Sequence, residues 1–192
     1  EIFYSKCVVT FSATPGSKTF IDACAKKVLS AKLNGKDVDI SKYDGESIFL
    51  TDLAAENELI IELEAIYSKT GEGLHRFVDP ADNEVYLYSQ HQVADTRRTF
   101  ASFDQPDLKA TYSFSVIAPG QWEVISNGPV ESVKVIGDKK HWTYKKTQKF
   151  STYLTCFVAG PYHKVEDVYK GEKEVPLGIY CRKSLAPHLD AE

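Results

Sequence analysis

The sequence predicts an all-β, multi-sheet, sandwich-like fold, because apolar residues recur at every second position and turn-forming residues separate the apolar segments. The clearest example is NELIIELEAIYS, residues 57–68, where glutamates at positions 62 and 64 alternate with apolar residues. Such alternation is typical of a strand with one buried face and one solvated face. Helical periodicity is weak, and only residues 95–102 are predicted to form a turn or two of helix.

Strand-length segments follow one another along the chain. In order they are KTFIDACA (18–25), VLSAKL (28–33), residues 57–68, EVYLYSQ (84–90), TYSFSV (111–116), WEVIS (122–126), ESVKVI (131–136), HWTYKK (141–146) and TYLTCFVAG (152–160). Turn-forming pairs separate several of them, at Asn34-Gly35, Asp44-Gly45, Asn127-Gly128 and Gly137-Asp138. Short strands joined by such turns, without a repeat, favour a sandwich-like domain.

Length and composition indicate a globular protein with a substantial core. The chain has 192 residues, of which 43% are hydrophobic and 26% are charged, and its formal net charge is −4. Lysine and arginine are scattered rather than clustered, which argues against a nucleic-acid partner. No apolar run approaches the roughly 20 residues of a membrane helix, so no membrane partner is predicted.

The cysteines at 7, 24, 156 and 181 are far apart and form no C-x-x-C pair. This pattern favours buried thiols over a zinc knuckle, and it predicts a reducing, cytoplasmic location. The sequence begins at Glu1 without a methionine and ends in charged residues. We therefore expect it to be a piece of a longer protein.

The common catalytic motifs are missing from the sequence. None of its histidines is followed by glutamate, so the chain has no H-E-x-x-H zinc motif. G-x-S-x-G and the P-loop pattern are missing as well. We assign no catalytic residue and no metal ligand to this chain, and we expect it to be inactive alone.

Two glutamines near the middle of the chain are the candidate site residues. If residues 84–93 form one strand, then Val85, Leu87 and Val93 share the core face. Tyr86, Tyr88, Gln90 and Gln92 then share the other face. This second face is either an ordinary solvated surface or a binding surface, since an amide can accept a hydrogen bond from an ammonium group and donate one to a carbonyl. A neighbouring pair of amides could hold the end of a peptide.

A longer run resembles the amino-terminal domain of the aminopeptidase N family of zinc metallopeptidases, in its bacterial form. The resemblance rests on GEGLHRFVDPADNEVYLYSQHQVADTRRTFASFDQPDLKATYSFSVIAP, followed by WEVISNGPV and FSTYLTCFVAGPYH. It implies a saddle-shaped, all-β amino-terminal domain over residues 1–182. It also implies that residues 183–192 begin the connection to a catalytic domain that is absent from this chain.

The resemblance also implies a division of labour in the full-length parent. The missing catalytic domain is expected to hold Zn²⁺ through H-E-x-x-H, whereas this chain binds no catalytic zinc. The family's Gln-x-Glu or Gln-x-Gln pair, which reaches the substrate amino terminus, matches Gln90 and Gln92. Many relatives carry glutamate at the second position, and the amide of Gln92 should attract an ammonium group less strongly than a carboxylate.

The expected function is that of a cap domain in a zinc-dependent aminopeptidase, which removes amino-terminal residues from peptides. Its expected partners are the substrate amino terminus and the catalytic domain of its own parent. Two alternatives remain open at this point: a bifunctional epoxide hydrolase and aminopeptidase, and a non-catalytic interaction scaffold.

Arg97 and Arg98, which lie close in sequence to Asp95, Asp104 and Asp107, are expected to form an ion-paired loop rather than a catalytic site.

Overall fold

A computed structural model describes residues 1–190 and confirms the all-β fold. The strands of the described part are β1 (Ile2–Ser12), β2 (Thr19–Asp22), β3 (Lys27–Leu33), β4 (Lys36–Asp37), β5 (Ser47–Leu50), β6 (Glu56–Ile66), β7 (Gly73–Val78), β8 (Val85–Gln90), β9 (Ser115–Pro119), β10 (Glu123–Ser126), β11 (Val130–Ile136), β12 (Lys139–Tyr144), β13 (Phe157–Gly160), β14 (His163–Lys170) and β15 (Glu174–Cys181). Short 3₁₀ helices span Ile40–Lys42, Thr96–Arg98, Thr152–Leu154 and Lys183–His188. The last two residues of the expected connection 183–192 lie outside the described residues.

The strands form several separate sheets, as the sequence predicts. Two sheets have four strands, in the orders β1-β6-β3-β4 and β10-β13-β8-β7. A third has the order β11-β12-β9, while β14 pairs with β15 and β2 pairs with β5. Every described strand pair is antiparallel. Antiparallel sheets tolerate one solvated face, which explains the alternating sequence pattern.

The chain divides into two compact units. Unit 1 comprises residues 1–75, 89–112 and 147–156, and unit 2 comprises residues 76–88, 113–146 and those from Phe157 onward. The core of unit 1 is built largely from β3, β5 and β6, with Leu59, Ile61 and Leu63 supplied by alternate positions of β6. Burial of these aliphatic side chains is the main stabilising contribution to the unit.

The longest pairing in unit 1 joins β1 to β6 over their full length. Its register runs from Ile2 opposite Ile66 to Ser12 opposite Glu56. The predicted turn Asn34-Gly35 is confirmed between β3 and β4, where both residues adopt a positive φ, of 51° and 79°. Two consecutive positive φ values suit a tight hairpin, which explains why asparagine and glycine occur there.

In unit 2, β14 and β15 form a two-stranded ribbon that is exposed along most of its length. Alternate residues of the paired strands share one face, and four large apolar side chains there are 45 to 60% exposed: Tyr169, Val175, Leu177 and Ile179. A ribbon of two strands buries little apolar surface by itself.

Several predicted strands differ at their ends from the structure. Residues 84–93 do not form one strand: β8 ends at Gln90, and the His91 carbonyl accepts a hydrogen bond from the Asp95 N–H at 3.0 Å, which closes a turn. Tyr86 is 1% exposed, so it does not share a solvated face with Tyr88. The segments 111–116 and 152–160 become strands only at Ser115 and Phe157, respectively.

Local structure explains why β9 and β13 begin later in the chain than the sequence predicts. The Tyr112 N–H donates to the Thr147 hydroxyl at 2.9 Å, and the Thr147 N–H donates to the Tyr112 carbonyl at 2.9 Å. Residues 152–154 form a 3₁₀ helix instead of extended structure.

Among the described residues, no helix is long and apolar enough to cross a membrane.

Candidate substrate-binding site

Gln90 and Gln92 lie at the end of β8 and are both exposed. Between them, His91 is buried, with 1% of its surface exposed. The structure brings the two glutamines together, because the Gln90 side-chain oxygen accepts a hydrogen bond from the Gln92 backbone N–H at 3.2 Å. The chain therefore presents two neighbouring amide side chains outward on either side of one buried anchor.

The Gln90 amide retains much of its hydrogen-bonding capacity. A carbonyl oxygen has two lone pairs, and the contact with Gln92 occupies only one of them. The remaining lone pair can accept from an ammonium group, while the amide NH₂ can donate to a carbonyl. Both capabilities match the two polar groups at the amino terminus of a peptide.

The His91 ring is held from both sides by threonines. Its Nδ1 lies 2.8 Å from the Thr155 hydroxyl oxygen and 3.0 Å from the Thr155 carbonyl oxygen. Its Nε2 lies 2.8 Å from the Thr99 hydroxyl oxygen. Burial lowers the pKa of His91 below its usual value of 6.5, although the Thr155 carbonyl and the Asp104 and Asp95 carboxylates oppose that shift.

Hydrogen-bond directions assign the neutral tautomer of this ring. The Thr155 hydroxyl donates its proton to the Thr152 carbonyl at 2.8 Å, so it can only accept from His91. Nδ1 therefore carries the proton, and in the neutral ring Nε2 accepts from the Thr99 hydroxyl. Every polar atom of the imidazole is thus paired in a buried environment, which is the condition for burying it without a large free-energy cost.

The network continues from Thr155 toward the arginine pair. The Thr152 hydroxyl donates to Asp104 Oδ1 at 2.7 Å, and Asp104 Oδ2 accepts from the Arg97 backbone N–H at 3.1 Å. These contacts connect segments 89–112 and 147–156 within unit 1. The loop that follows the glutamines is therefore held by buried polar groups and not only by apolar packing.

The predicted ion-paired loop is partly correct. Arg98 Nε lies 2.7 Å from Asp95 Oδ1, as expected for neighbouring charges. Arg97 instead pairs at 3.7 Å with Asp22, which is distant in sequence and was not predicted. Asp104 accepts a hydrogen bond from the backbone N–H of Arg97 and not from its guanidinium group.

Sequence reasoning missed His91 as a buried, hydrogen-bonded residue. Period two places residue 91 on the same face as Val85 and Leu87, and that alternation was the available signal. The threonine partners could not be found in this way, because Thr155 is 64 residues away from His91. Only the folded chain brings them together.

The arrangement is suited to binding and lacks a metal centre. Across residues 1–190, no group of three or more His, Cys, Asp or Glu side chains could hold a metal ion. A surface cavity of about 390 Å³ in unit 1 is lined by Cys24, Lys26, Glu72 and Arg98, among others, but by neither glutamine. Both glutamines are exposed at the surface of the chain.

Known proteins resemble this chain in sequence. The family model of the peptidase M1 N-terminal domain matches residues 6–154. Aminopeptidase N of Streptomyces lividans is 48% identical over 183 residues, which cover 94% of this chain and 21% of that protein. Glutamyl aminopeptidase of Rattus norvegicus is 29% identical over 145 residues, which cover 75% of this chain and 14% of that protein.

A solved structure has the same fold. Aminopeptidase A of Legionella pneumophila, crystallised in complex with aspartic acid, superposes with a TM-score of 0.81 at 18% identity, and the match covers 96% of this chain and 23% of that chain. The family model and the Streptomyces relative confirm the family resemblance read from the sequence, and the solved structure confirms the fold. This chain spans about a fifth of the length of the Streptomyces relative.

Proposed function

This chain belongs to the peptidase M1 family, whose amino-terminal domain it forms, and from that premise we propose that it helps a full-length zinc aminopeptidase bind the amino terminus of its peptide substrate. Gln90 and Gln92 are the residues that make this contact. The observation that carries the proposal is their exposure on either side of the buried His91, with the Gln90 side chain bonded to the Gln92 backbone.

The chemistry of the two amides supports this role. An aminopeptidase must distinguish a free ammonium group from an internal peptide bond, and an acceptor at a set position can do so. Gln90 offers an oxygen with one free lone pair. Gln92 offers a second amide without a formal charge, so most of the electrostatic attraction for the ammonium group falls to the rest of the parent protein.

Zinc enters the proposal only for the full-length parent. The residues described here do not fit a catalytic zinc ion, because they contain no suitable ligand group. We place the metal, the general base and the hydrolytic step in the part of the parent outside this chain. The named relatives are aminopeptidases, which favours this function over the epoxide hydrolase and scaffold alternatives.

The catalytic domain of the same parent is the proposed protein partner. The Streptomyces relative is nearly five times as long as its match to this chain. Apolar side chains are also exposed in segment 89–112 of unit 1, which contains the glutamines: Val93 is 57% and Leu108 is 48% exposed. Exposed apolar groups of this kind are typical of a surface that packs against another domain.

The four free thiols support a cytoplasmic location.

The test is Gln90→Ala in the full-length parent. Loss of one hydrogen bond to a charged group typically costs about 1.5 to 3 kcal/mol, so kcat/KM for an alanyl amide should fall roughly ten- to hundredfold. Folding should be little affected, since Gln90 is exposed. Steady-state kinetics and a melting curve measure the two effects separately.

Gln105→Ala is the matched control, because Gln105 is an exposed glutamine of the same loop region that has no assigned role. It should retain wild-type kinetics. An alkylamine inhibitor provides a second measurement: its inhibition constant should rise in Gln90→Ala, while that of the alcohol of equal length should not. Unchanged kcat/KM in Gln90→Ala would overturn the proposed role.

A substitution at Gln92 should strengthen substrate binding, whereas Gln90→Ala should weaken it. Gln92→Glu places a carboxylate near the substrate ammonium and should strengthen their attraction. If ground state and transition state share this contact, the gain should appear mainly as a lower KM. A KM that stays constant or rises would exclude Gln92 from amine binding.

A further inference from the structure

We propose that His91 is a positioning residue for substrate amine binding: its imidazole, held between Thr99 and Thr155, sets the placement of the Gln90 and Gln92 amides. This inference rests on the proposed function of the two glutamines. It adds a residue that never contacts substrate but acts through its two neighbours in the chain.

The first support is the position of His91 directly after β8. Gln90 and Gln92 extend into solvent, and His91, 1% exposed, extends into the interior. An exposed glutamine has several rotatable bonds and gains little order from its own packing. The neighbouring buried ring is the nearest rigid element to which both backbone positions are attached.

The second support is the number of directions from which the ring is held. Nε2 bonds to Thr99, in the turn that follows the glutamines, and Nδ1 bonds to Thr155, which is far away in sequence. Phe100 also approaches the ring edge-on, with 6.4 Å between the ring centroids. These contacts restrain both translation and rotation of the imidazole.

The third support is the backbone connection from His91 to the glutamines. The His91 carbonyl accepts from the Asp95 N–H at 3.0 Å, which holds the turn containing Gln92. The Gln92 N–H in turn holds the Gln90 side-chain oxygen at 3.2 Å. A shift of the His91 ring would therefore move the backbone nitrogen of Gln92. It would also move the Gln90 side-chain oxygen, which accepts a hydrogen bond from that nitrogen.

Placement matters because an amine acceptor must be at a set distance from the reacting carbonyl. A small misplacement of a binding group, on the order of 1 Å, can cost as much as a lost contact. Removing a hydrogen bond that holds the His91 ring should thus lower kcat/KM while leaving the fold intact. A loss of activity without a loss of fold distinguishes a positioning residue from a residue that only stabilises the core.

The experiment uses the full-length parent and begins with Thr99→Val. The substitution removes the hydroxyl that bonds to His91 Nε2 and keeps the shape of the side chain. We expect kcat/KM to fall about three- to tenfold, the range for one neutral hydrogen bond. Thr99→Ser keeps the hydroxyl and should restore most of the activity.

Thr96→Val is the matched control. Thr96 lies in the same turn, is fully buried, and its hydroxyl has no hydrogen-bond partner among the described residues. Removing that hydroxyl should leave kcat/KM unchanged, and it should not lower stability. A loss equal to that of Thr99→Val would show that any valine in this turn impairs activity, and it would overturn the inference.

A double-mutant cycle then tests whether the effect passes through the glutamines. In a parent carrying Gln90→Ala and Gln92→Ala, Thr99→Val should cause no further loss, because the groups that it displaces are gone. A persistent three- to tenfold loss would overturn the role of His91. His91→Asn, which keeps a donor near Thr155, should repeat the Thr99→Val result in both backgrounds.

The two proposals fail in different ways. If Gln90→Ala alone leaves kcat/KM unchanged, the proposed function is wrong, and the inference is wrong with it. If Gln90→Ala is impaired but Thr99→Val is not, only the role of His91 is overturned. The inference is supported when both variants are impaired and their effects are not additive.

Discussion

Arg182 Nη1 lies 2.9 Å from Asp79 Oδ2, and the Asp79 side chain is only 3% exposed. The same carboxylate accepts hydrogen bonds from the Ser184 hydroxyl and from the Ala81 N–H. Asp79 therefore ties the 3₁₀ helix Lys183–His188 to segment 76–88 of the same unit. The expected connection to a catalytic domain thus begins with an anchored turn, and its starting position at residue 183 stays a prediction.

We expect Asp79→Asn to release this anchored turn. The amide cannot pair with the Arg182 guanidinium as a carboxylate does, so the bonds of Arg182 and Ser184 weaken together. Trypsin cleavage after Arg182 or Lys183 in the isolated chain should accelerate severalfold. Asp138→Asn, an exposed turn residue of the same unit, is the control and should cleave at the wild-type rate. Equal rates for both variants would show that Asp79 does not anchor the turn.

Acid should release the same contact. The hydrogen bonds from Ser184 and Ala81 and the charge of Arg182 hold the pKa of Asp79 below its usual value of 3.8. A lowered pKa means that the ionised form is stabilised in the fold. The contribution is therefore fully present above the pKa of the unfolded chain, and it is lost as pH falls through the lower folded pKa. An NMR titration of the Asp79 carboxyl carbon should show a midpoint below that of the urea-unfolded chain, and a higher midpoint would contradict this.

The apolar face of the β14–β15 ribbon should matter only in the full-length protein. Leu177 is 47% exposed in this chain, so Leu177→Asp should leave the Tm of the isolated chain nearly unchanged. If the parent packs another domain on this face, the same change buries a charge there and should lower the Tm of the parent by several degrees. Val168→Asp is the matched control, because Val168 is 42% exposed and lies on the opposite face of the ribbon. A similar Tm shift for the two variants would argue against packing on the Leu177 face.

The isolated chain should neither bind a catalytic zinc ion nor hydrolyse an aminoacyl amide. The reason is the lack of a ligand cluster within residues 1–190. Stoichiometric zinc after metal stripping and reloading, measured by elemental analysis, would contradict this prediction. Chelator-sensitive cleavage of an alanyl chromogenic amide by the isolated chain would contradict it as well. The full-length parent, treated in parallel, serves as the positive control.

The sequence predicts those strands in which one face meets the core directly. Residues 59, 61 and 63 of β6 alternate as expected and are buried. The end of β8 could not be predicted in this way, because the strand stops when the backbone of His91 closes a turn with Asp95. Local periodicity carries no information on a hydrogen bond that depends on the rest of the fold.

The candidate site shows the same limit. The positions of Gln90 and Gln92 follow from a family resemblance and from their polar character, and the structure places both on the surface. The hydrogen bonds of His91, which lies between them, do not follow from the sequence, because Thr155 reaches His91 from a segment that is remote in the chain. Likewise, the partner of Arg97 is Asp22, and no nearest-neighbour argument would choose it over Asp95.

Unit 1 is assembled from three separated stretches, 1–75, 89–112 and 147–156. On the ribosome, β1 can pair with β6 early, but the His91 imidazole has no Thr155 partner until the third stretch has been synthesised. The segments that form unit 2 are made in between, so neither unit can be finished before the other has begun. Contacts between residues so distant in sequence slow folding, since the loops between them must close first. The surface that carries Gln90 and Gln92 consequently reaches its final shape only after Thr155 has been synthesised.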